Sequence, residues 1–539
     1  MEPQGHQGRP DDVGKYNFVV VANRLPVDRV ETADGSEQWR RSPGGLVTAL
    51  EPIMQSADGA WIGWSGSAGE GPEPFDSHGM RLVAVPLSAE DVRDYYEGFC
   101  NATLWPLYHD VIAAPEFHRH WWEAYLRANE RFAAIAASQA APEAVVWVHD
   151  YQLQLVPAML RRQRPDLRIG FFNHIPFPGY EIFAQLPWRR QLVEGLLGAD
   201  LLGFQRQGDV TNFMRACRRA ARLATRGTVV PVPRLTGEPG DGSVAAERGV
   251  GTGATADRGT GTGAGVGAGT GTGAGAGAGT EPEASAGPNR PGRVRQVRAA
   301  AFPISIDAAE LGELASRDQV RARAREIRES LGDPEVVFLG VDRLDYTKGI
   351  LHRLKAYSEL LDSGQLDATS SVLVQVATPS RERVEQYKLL RDEIEGTVGR
   401  INGDHSTLGH PAIHYLHQSF PRDEMAALYL AADVMLVTAL RDGMNLVAKE
   451  FVACRHDETG VLVLSEFTGA ADELTSAFLV NPHDIEGLKD TIIAASRLSP
   501  REASRRMRAM RRRVRDNDVH FWATSFLETL RGTAPVHVS

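Results

Sequence analysis

Short apolar runs rich in Val, Ile, Leu and Phe recur along the chain, separated by longer stretches in which apolar residues return every three or four positions. Unbroken apolar runs fit strands buried on both faces, and the longer period fits helices that cover them, so the pattern predicts an α/β protein built on parallel sheets. In the first half the predicted strands are 18–22, 61–64, 82–85, 145–149, 169–173 and 201–204, with helices over about 120–140 and 208–222. The scheme starts again further on, with strands at 336–341, 372–377, 413–416, 434–437 and 461–464. Two Rossmann-like domains in tandem follow from this repetition.

Between the halves, residues 226–292 lose the pattern, and from 251 to 279 glycine stands at nearly every second place with Thr or Ala between. Such residues bury too little apolar area to offset the entropy of ordering, so the segment is expected to be a disordered insert. A phosphate-cradling glycine loop is the alternative, but it requires a strand before the glycines and a helix after them, and the sequence offers neither. The expected division is therefore 1–225 for the first domain, 226–292 for the insert, 293–307 for a last strand and link, 308–500 for the second domain, and 501–539 for terminal helices.

Composition narrows the class. A chain of 539 residues, 42% hydrophobic and 24% charged, can bury a large core. No signal-like apolar run opens it, and no stretch of about 18 apolar residues occurs, so a cytoplasmic protein with no membrane partner is expected. Cys100, Cys217 and Cys454 lie too far apart for a metal knuckle and are too few for a disulfide framework, which predicts reduced, structural thiols and no metal site. A net charge of −10 argues against nucleic acid as a general partner but leaves room for a local cationic pocket. Arg501, Arg505, Arg506, Arg508, Arg511, Arg512, Arg513 and Arg515 crowd one helical stretch, read here as a solvated helix face rather than a polyanion-binding surface.

Chemistry concentrates where strands give way to helices. Arg441-Asp442-Gly443-Met444-Asn445-Leu446-Val447-Ala448-Lys449-Glu450 follows the strand at 434–437 and opens a helical pattern. Gly443 would permit a tight turn, the N–H groups near Met444 to Leu446 would face an anion, and the helix dipole favours the negative charge of a diphosphate. Glu450 is spaced to accept hydrogen bonds from ribose hydroxyls. The plainer alternative is a helix capped by Asp442. A second string, Gly340-Val341-Asp342-Arg343-Leu344-Asp345-Tyr346-Thr347-Lys348-Gly349, sets Arg343 and Lys348 at a strand's carboxyl end, where open α/β sheets bind ligands. Two fixed cations there suit a leaving diphosphate; pairing with Asp342 or Asp345 at the surface is the alternative. In the first half, Asn23-Arg24, Gly44-Gly45-Leu46, His149-Asp150 and His174 occupy equivalent edges, with Arg24 able to clamp a phosphate and Asp150 to hold sugar hydroxyls.

Read together, these strings resemble the trehalose-6-phosphate synthases of glycosyltransferase family 20. The resemblance runs through Asn23-Arg24, Gly44-Gly45-Leu46, Tyr95-Tyr96, Leu104-Trp105-Pro106, Val148-His149-Asp150-Tyr151, Phe171-Phe172-Asn173-His174-Ile175-Pro176-Phe177-Pro178, the Asp342 to Gly349 string, Gly399-Arg400-Ile401-Asn402-Gly403 and Arg441 to Glu450. It implies a GT-B fold, two Rossmann-like domains facing each other across a cleft, with the acceptor mostly on the first and the nucleotide-sugar mostly on the second. It further implies that Arg24, Tyr96, Trp105, Asp150 and Arg381 hold glucose 6-phosphate. Gly44, Gly45, His174, Arg343, Lys348, Phe420, Asp442, Met444, Asn445, Leu446, Val447, Ala448, Lys449 and Glu450 would hold the donor. Arg343, Lys348, His174 and Asp442 would carry catalysis, and Trp105 with Ile175 would select the acceptor's anomer. Helices around 517–530 would cross back onto the first domain.

The activity implied is transfer of glucose from a nucleotide-glucose to glucose 6-phosphate with retention, giving α,α-trehalose 6-phosphate, with small-molecule substrates, no cofactor and no metal. No pair of carboxylates stands out as a glycosidase dyad, so a front-face departure and attack is expected instead. Another phosphorylated acceptor, or a regulatory subunit that transfers nothing, would suit the same fold, but the second predicts eroded donor motifs. The donor's base and the oligomeric state stay open, and a homo-oligomer is compatible with the sequence. One departure from the resembled pattern is Ser305, in Pro303-Ile304-Ser305-Ile306-Asp307, where relatives tend to carry Gly.

Overall fold

The structure, a computed structural model, describes residues 16–31, 37–41, 45–57, 59–233 and 294–532. Gly44 and most of the predicted insert lie outside the described residues.

Two sheets organise the chain. The first has nine strands in the order Val229–Pro233, Val294–Ala301, Leu201–Phe204, Arg168–Phe172, Ala140–His149, Tyr16–Arg24, Ala60–Trp64, Met80–Ala84 and Phe75–Ser77. All neighbouring pairs are parallel except the two at the edges. The second has six parallel strands in the order Ile413–Leu416, Ser371–Thr378, Val336–Arg343, Val434–Val437, Val461–Ser465 and Phe478–Val480. A hairpin of Val27–Glu31 with Glu37–Arg41 stands apart. Parallel strands need crossover connections, and helices supply them on both faces.

Strand alternation explains the layering. On Tyr16–Arg24, Phe18 and Val20 enter one apolar cluster while Val19 and Val21 enter another. The second cluster is closed by the helix Arg119–Gln139, whose Trp122, Tyr125, Asn129, Phe132 and Ala136 recur at the three- and four-residue steps of one helix face. The first cluster is closed by the terminal helix Val519–Arg531, where Phe526 stacks on Trp147 at 4.4 Å between ring centroids and Trp522 lies edge-on to Phe172 at 5.1 Å.

That terminal helix packs on strands of the first sheet, whereas the preceding helix Pro500–Asp516 stays with the second half, against helices Leu446–Cys454 and Ala308–Ser316. The return crossing is thus made by the last helix alone. Helix Pro500–Asp516 buries Ala503, Met507, Met510 and Val514, while Arg505 and Arg506 pair with Glu502 and Arg508 with Glu458. Three of the eight arginines of its basic run are thus held in ion pairs along the outer face.

One boundary needs correction. The insert was set to begin at 226, yet Val229–Pro233 is a strand, antiparallel to Val294–Ala301, with Val230 and Val232 buried. Pro231 and Pro233 interrupt its apolar run; proline is accepted here because the strand lies at the sheet's edge.

Candidate active site

Both sheets present their carboxyl ends to a common cleft. Strand Ala140–His149 ends in His149-Asp150, and Asp150 takes a left-handed backbone (φ 74°), which places strain on a non-glycine residue. Its Oδ1 accepts a hydrogen bond from the His174 N–H at 3.0 Å. Burial pushes the Asp150 carboxyl up to about 6 against the opposing pull of the Tyr151 and His174 N–H groups, Arg343 and Arg381. His174 stands two residues past strand Arg168–Phe172, with Nε2 3.1 Å from His149 Nδ1. Burial lowers both imidazoles, His174 to about 3, so the pair is neutral and shares one hydrogen between the facing nitrogens.

Tyr95 and Tyr96 belong to a π-helical segment, Val92–Leu104, that runs into the short helix Trp105–Tyr108. The Tyr95 hydroxyl donates to Asn23 Oδ1 at 2.8 Å, and Tyr96 packs against Trp64 at 5.4 Å. The Arg24 guanidinium lies over the other end of that cluster, 5.2 Å from the Trp64 ring, and pairs with Asp28 at 3.2 Å. Trp105 is covered by His109 at 4.1 Å and by the Arg381 guanidinium at 3.7 Å, and its indole N–H is buried without a partner. Ile175 is buried beside this edge.

On the second sheet, strand Val336–Arg343 ends at the half-exposed Arg343, whose Nη2 is 4.0 Å from Asp345. A single turn, Tyr346–Lys348, then delivers Lys348 to Asp442, with Nζ 2.6 Å from Oδ2. Gly349 closes the turn in the left-handed region (φ 63°), where an added Cβ would meet the Thr438 carbonyl at 2.1 Å, so the turn cannot accept a side chain. Burial would raise the Asp442 carboxyl, but Lys348 and the Asn445 amide prevail and hold it below the usual carboxylate range. Asp342 is engaged elsewhere, with buried Arg353 at 2.7 Å. The surface-pair alternative for Lys348 is therefore set aside.

The donor string is a helix opening, and Asn445 rather than Asp442 caps it. Asn445 adopts φ 80° and its Oδ1 accepts from the Ala448 N–H at 3.0 Å, leaving the N–H groups at the start of Leu446–Cys454 outside the helical ladder. Gly443 is not needed for a left-handed turn; it is needed for close approach, since an added Cβ would stand 2.3 Å from the His174 carbonyl oxygen of the other half. Helical geometry divides the string after Asn445, because successive residues turn by about 100° and cannot all face one ligand. Met444 and Ala448 are buried and Leu446 and Val447 pack against the apolar cluster. The Lys449 side chain is 1% exposed, pairs with Glu473, and donates to the Ile304 carbonyl at 2.8 Å. Glu450 accepts from the Tyr429 hydroxyl at 2.9 Å, and Phe420 packs partly buried against the core. Gly45 opens the helix Gly45–Ser56.

The structure therefore brings Trp105, Asp150, His174, Arg343, Lys348, Arg381 and Asp442 to facing edges, leaves Arg24 and Tyr96 in the Trp64 cluster, and turns Lys449 away. Around Arg381, which the resemblance had named, and at the seam between the halves, side chains given no site role in the sequence complete the cleft. Arg381 (φ 50°) donates from Nη1 to Asp345 at 3.2 Å and to Tyr387, and from Nη2 to the Tyr151 hydroxyl at 3.3 Å across the cleft. Arg441 lies 3.1 Å from Asp110, and Arg206 makes two bonds of 2.7 Å to Asp472, each joining one half to the other. Tyr151 and Asp345 stood inside recognised strings, so their signal was position beside a motif residue; nothing local marked Tyr387 or Asp472. Among the described residues no group of three His, Cys, Asp or Glu is placed to hold a metal ion, and no helix is long and apolar enough to cross a membrane.

Two doubly wound sheets whose carboxyl ends face one another over cations, a helix N-terminus and buried carboxylates define a GT-B glycosyltransferase. The sequence model of glycosyltransferase family 20 matches residues 16–532, and the chain belongs to that family. It is 53% identical over 529 residues to a trehalose-6-phosphate synthase of Mycolicibacterium gilvum (strain PYR-GCK), covering 97% of this chain and 95% of the relative. Among solved structures it resembles an α,α-trehalose-phosphate synthase (UDP-forming) from Burkholderia xenovorans in complex with glucose 6-phosphate, with a TM-score of 0.78, 31% identity and coverage of 96% and 100% of the two chains. It also resembles a trehalose-6-phosphate synthase analysed with bisubstrate glycomimetics for glycosyl transfer with retention, at a TM-score of 0.77, 30% identity and coverage of 96% and 100%.

Proposed function

We propose that this chain transfers glucose from a nucleotide-glucose to glucose 6-phosphate with retention of configuration, releasing the nucleoside diphosphate and forming α,α-trehalose 6-phosphate. The observation that carries the reading is its 53% identity, over nearly full length, to a trehalose-6-phosphate synthase. The paired edges of the cleft supply a physical mechanism. Arg343, Lys348 and the helix opening at Met444 to Leu446 stabilise charge that grows on the departing diphosphate, and this stabilisation is strongest where water is excluded. The acceptor's anomeric hydroxyl attacks C1 on the face the diphosphate leaves; the new C–O bond forms as the old one breaks, and the hydroxyl proton passes to a diphosphate oxygen. No enzyme nucleophile is required.

In this reading Arg24 and Arg381 grip the acceptor phosphate, while Tyr96, Trp105 and Asp150 hold its sugar. A neutral His174 contacts the donor glucose, and Asp442 orients both Lys348 and donor hydroxyls. Gly44, Gly45, Phe420, Leu446, Val447 and Glu450 border the donor, and Ile175 works with Trp105 in selecting the anomer. The first half, 1–225, serves the acceptor and 308–500 the nucleotide-sugar, in a cytoplasmic enzyme whose partners are small molecules. Incubating the purified chain with glucose 6-phosphate and UDP-, GDP- or ADP-glucose tests the reading and ranks the donors. Absence of trehalose 6-phosphate with all three would overturn it.

A further inference from the structure

We propose that Asp345 is a positioning residue shared by both substrate subsites, one carboxylate oxygen seating Arg381 for the acceptor phosphate and the other fixing the turn that presents Lys348 to the leaving diphosphate. The inference rests on the roles given above to Arg381 and Lys348 and names the group that couples them.

The Asp345 side chain is fully buried. Its Oδ1 accepts from the Thr347 N–H at 3.0 Å and the Thr347 hydroxyl at 2.9 Å, which closes the turn Tyr346–Lys348. Capping of that turn would need nothing more. Yet Oδ2 also receives Arg381 Nη1 at 3.2 Å and the Tyr387 hydroxyl at 3.3 Å, while Arg343 stands 4.0 Å away. Three cations thus converge before any anionic substrate is present. Lys348 has Asp442 as its counter-charge and Arg343 is half-exposed, but Arg381 is only 6% exposed, and Asp345 is the carboxylate paired with it.

A buried guanidinium without a counter-charge is costly and would withdraw or swing away. Asp345 removes that cost and fixes direction. Arg381 uses its Nη1 edge on Asp345 and Tyr387, and a guanidinium carries five donor hydrogens, so others remain for a phosphate. The left-handed backbone of Arg381 persists because these contacts over-determine it. The same carboxylate therefore sets the distance between the acceptor's phosphate grip and the leaving group's cation, which must be right together for a front-face transfer.

The test compares wild type, Asp345→Asn, Asp345→Glu and Tyr387→Phe by KM for each substrate, kcat and equilibrium binding of glucose 6-phosphate. Asp345→Asn is expected to raise the acceptor KM about tenfold and lower kcat about tenfold, since displacement by about 1 Å is costly at a reacting centre. Asp345→Glu recovers part of the acceptor KM. A purely fold-holding role would reduce the active fraction, dropping the apparent kcat with both KM values unmoved, and that result overturns the proposal. Should Asp345→Asn fail to fold, Tyr387→Phe decides: a rise of about threefold or more in acceptor KM with an unchanged donor KM supports the seat, since the hydroxyl's bonds to Arg381 and Asp345 are both lost, and an unchanged acceptor KM overturns it. If wild type transfers no glucose, the functional reading fails, and glucose 6-phosphate binding still judges Asp345: weaker binding in Asp345→Asn or Tyr387→Phe supports it, and equal binding, or none to wild type, overturns it.

Discussion

Gly443 leaves no room for a side chain between the two halves, and Gly443→Ala turns that close approach into a measurement. A Cβ at this position would lie 2.3 Å from the His174 carbonyl oxygen and 3.2 Å from Ile175 Cα. Carbon and carbonyl oxygen rest at about 3.3 Å or more, so the two loops must part by about 1 Å. Relaxation on the donor side is blocked, because Gly469 packs against the Gly443 carbonyl and the Met444 carbonyl accepts from the Ala470 N–H at 2.7 Å. The displacement therefore goes into the cleft, between His174 and the helix opening at Asn445. A misplacement of this size costs on the order of a hundredfold in rate, or roughly 2.7 kcal/mol of transition-state stabilisation. The assay is diphosphate release under saturating substrates, set beside a thermal melt. We expect kcat to fall about a hundredfold while the melt moves little, because the added methyl displaces loops at the cleft and removes no apolar area from the core that the two halves share. A Gly443→Ala protein within about twofold of wild-type kcat would refute the reasoning.

Two further outcomes follow from buried polar groups. Ser305 is fully buried and its hydroxyl has no partner, so Ser305→Ala removes an unsatisfied group and should stabilise the protein by about 1 kcal/mol, seen as a rise of roughly 1–3 °C in melting temperature; a lower melting temperature contradicts this. Asp150 is raised in the folded state to about 6 from an ordinary value of 3.8, so across that window the folded protein holds a proton the unfolded chain has released, and stability must decline as pH rises through about 6. Denaturation midpoints of wild type and Asp150→Asn between pH 4 and 7 check the sign: wild type should lose ground relative to the variant as pH increases, and a constant difference would show that burial does not perturb this carboxyl.

Strands buried on both faces were legible as unbroken apolar runs: Leu201–Phe204 and Val434–Val437 are buried throughout and match their predicted bounds. The strand Val229–Pro233 was not, since its two prolines mask an edge position that only the pairing partner reveals. The π-helical stretch carrying Tyr95 and Tyr96 leaves no mark on periodicity either, as its extra residue per turn is a local event. At the cleft, motif residues were legible as types but not as directions. Lys449 and Glu450 are adjacent in sequence, yet one reaches Ile304 and Glu473 and the other Tyr429. Pairings such as Arg381 with Tyr151, 230 positions apart, exist only once the two sheets face each other.

The return of the last helix to the first sheet gives the molecule its mechanics. The chain passes between the halves twice, through the segment after strand Val294–Ala301 and again just before Val519, and the Val519 N–H donates to the Ile306 carbonyl at 3.1 Å. Two crossings tied at one place act as a single pivot. Atoms beside it barely move when the halves rock, and those farther away sweep arcs that lengthen with their distance. Lys449 grips the carbonyl of Ile304 at this pivot, so the helix that opens the donor string is anchored at its still point. Any rotation of one half against the other would therefore shift Lys449 less than the strand ends that lie farther from this place.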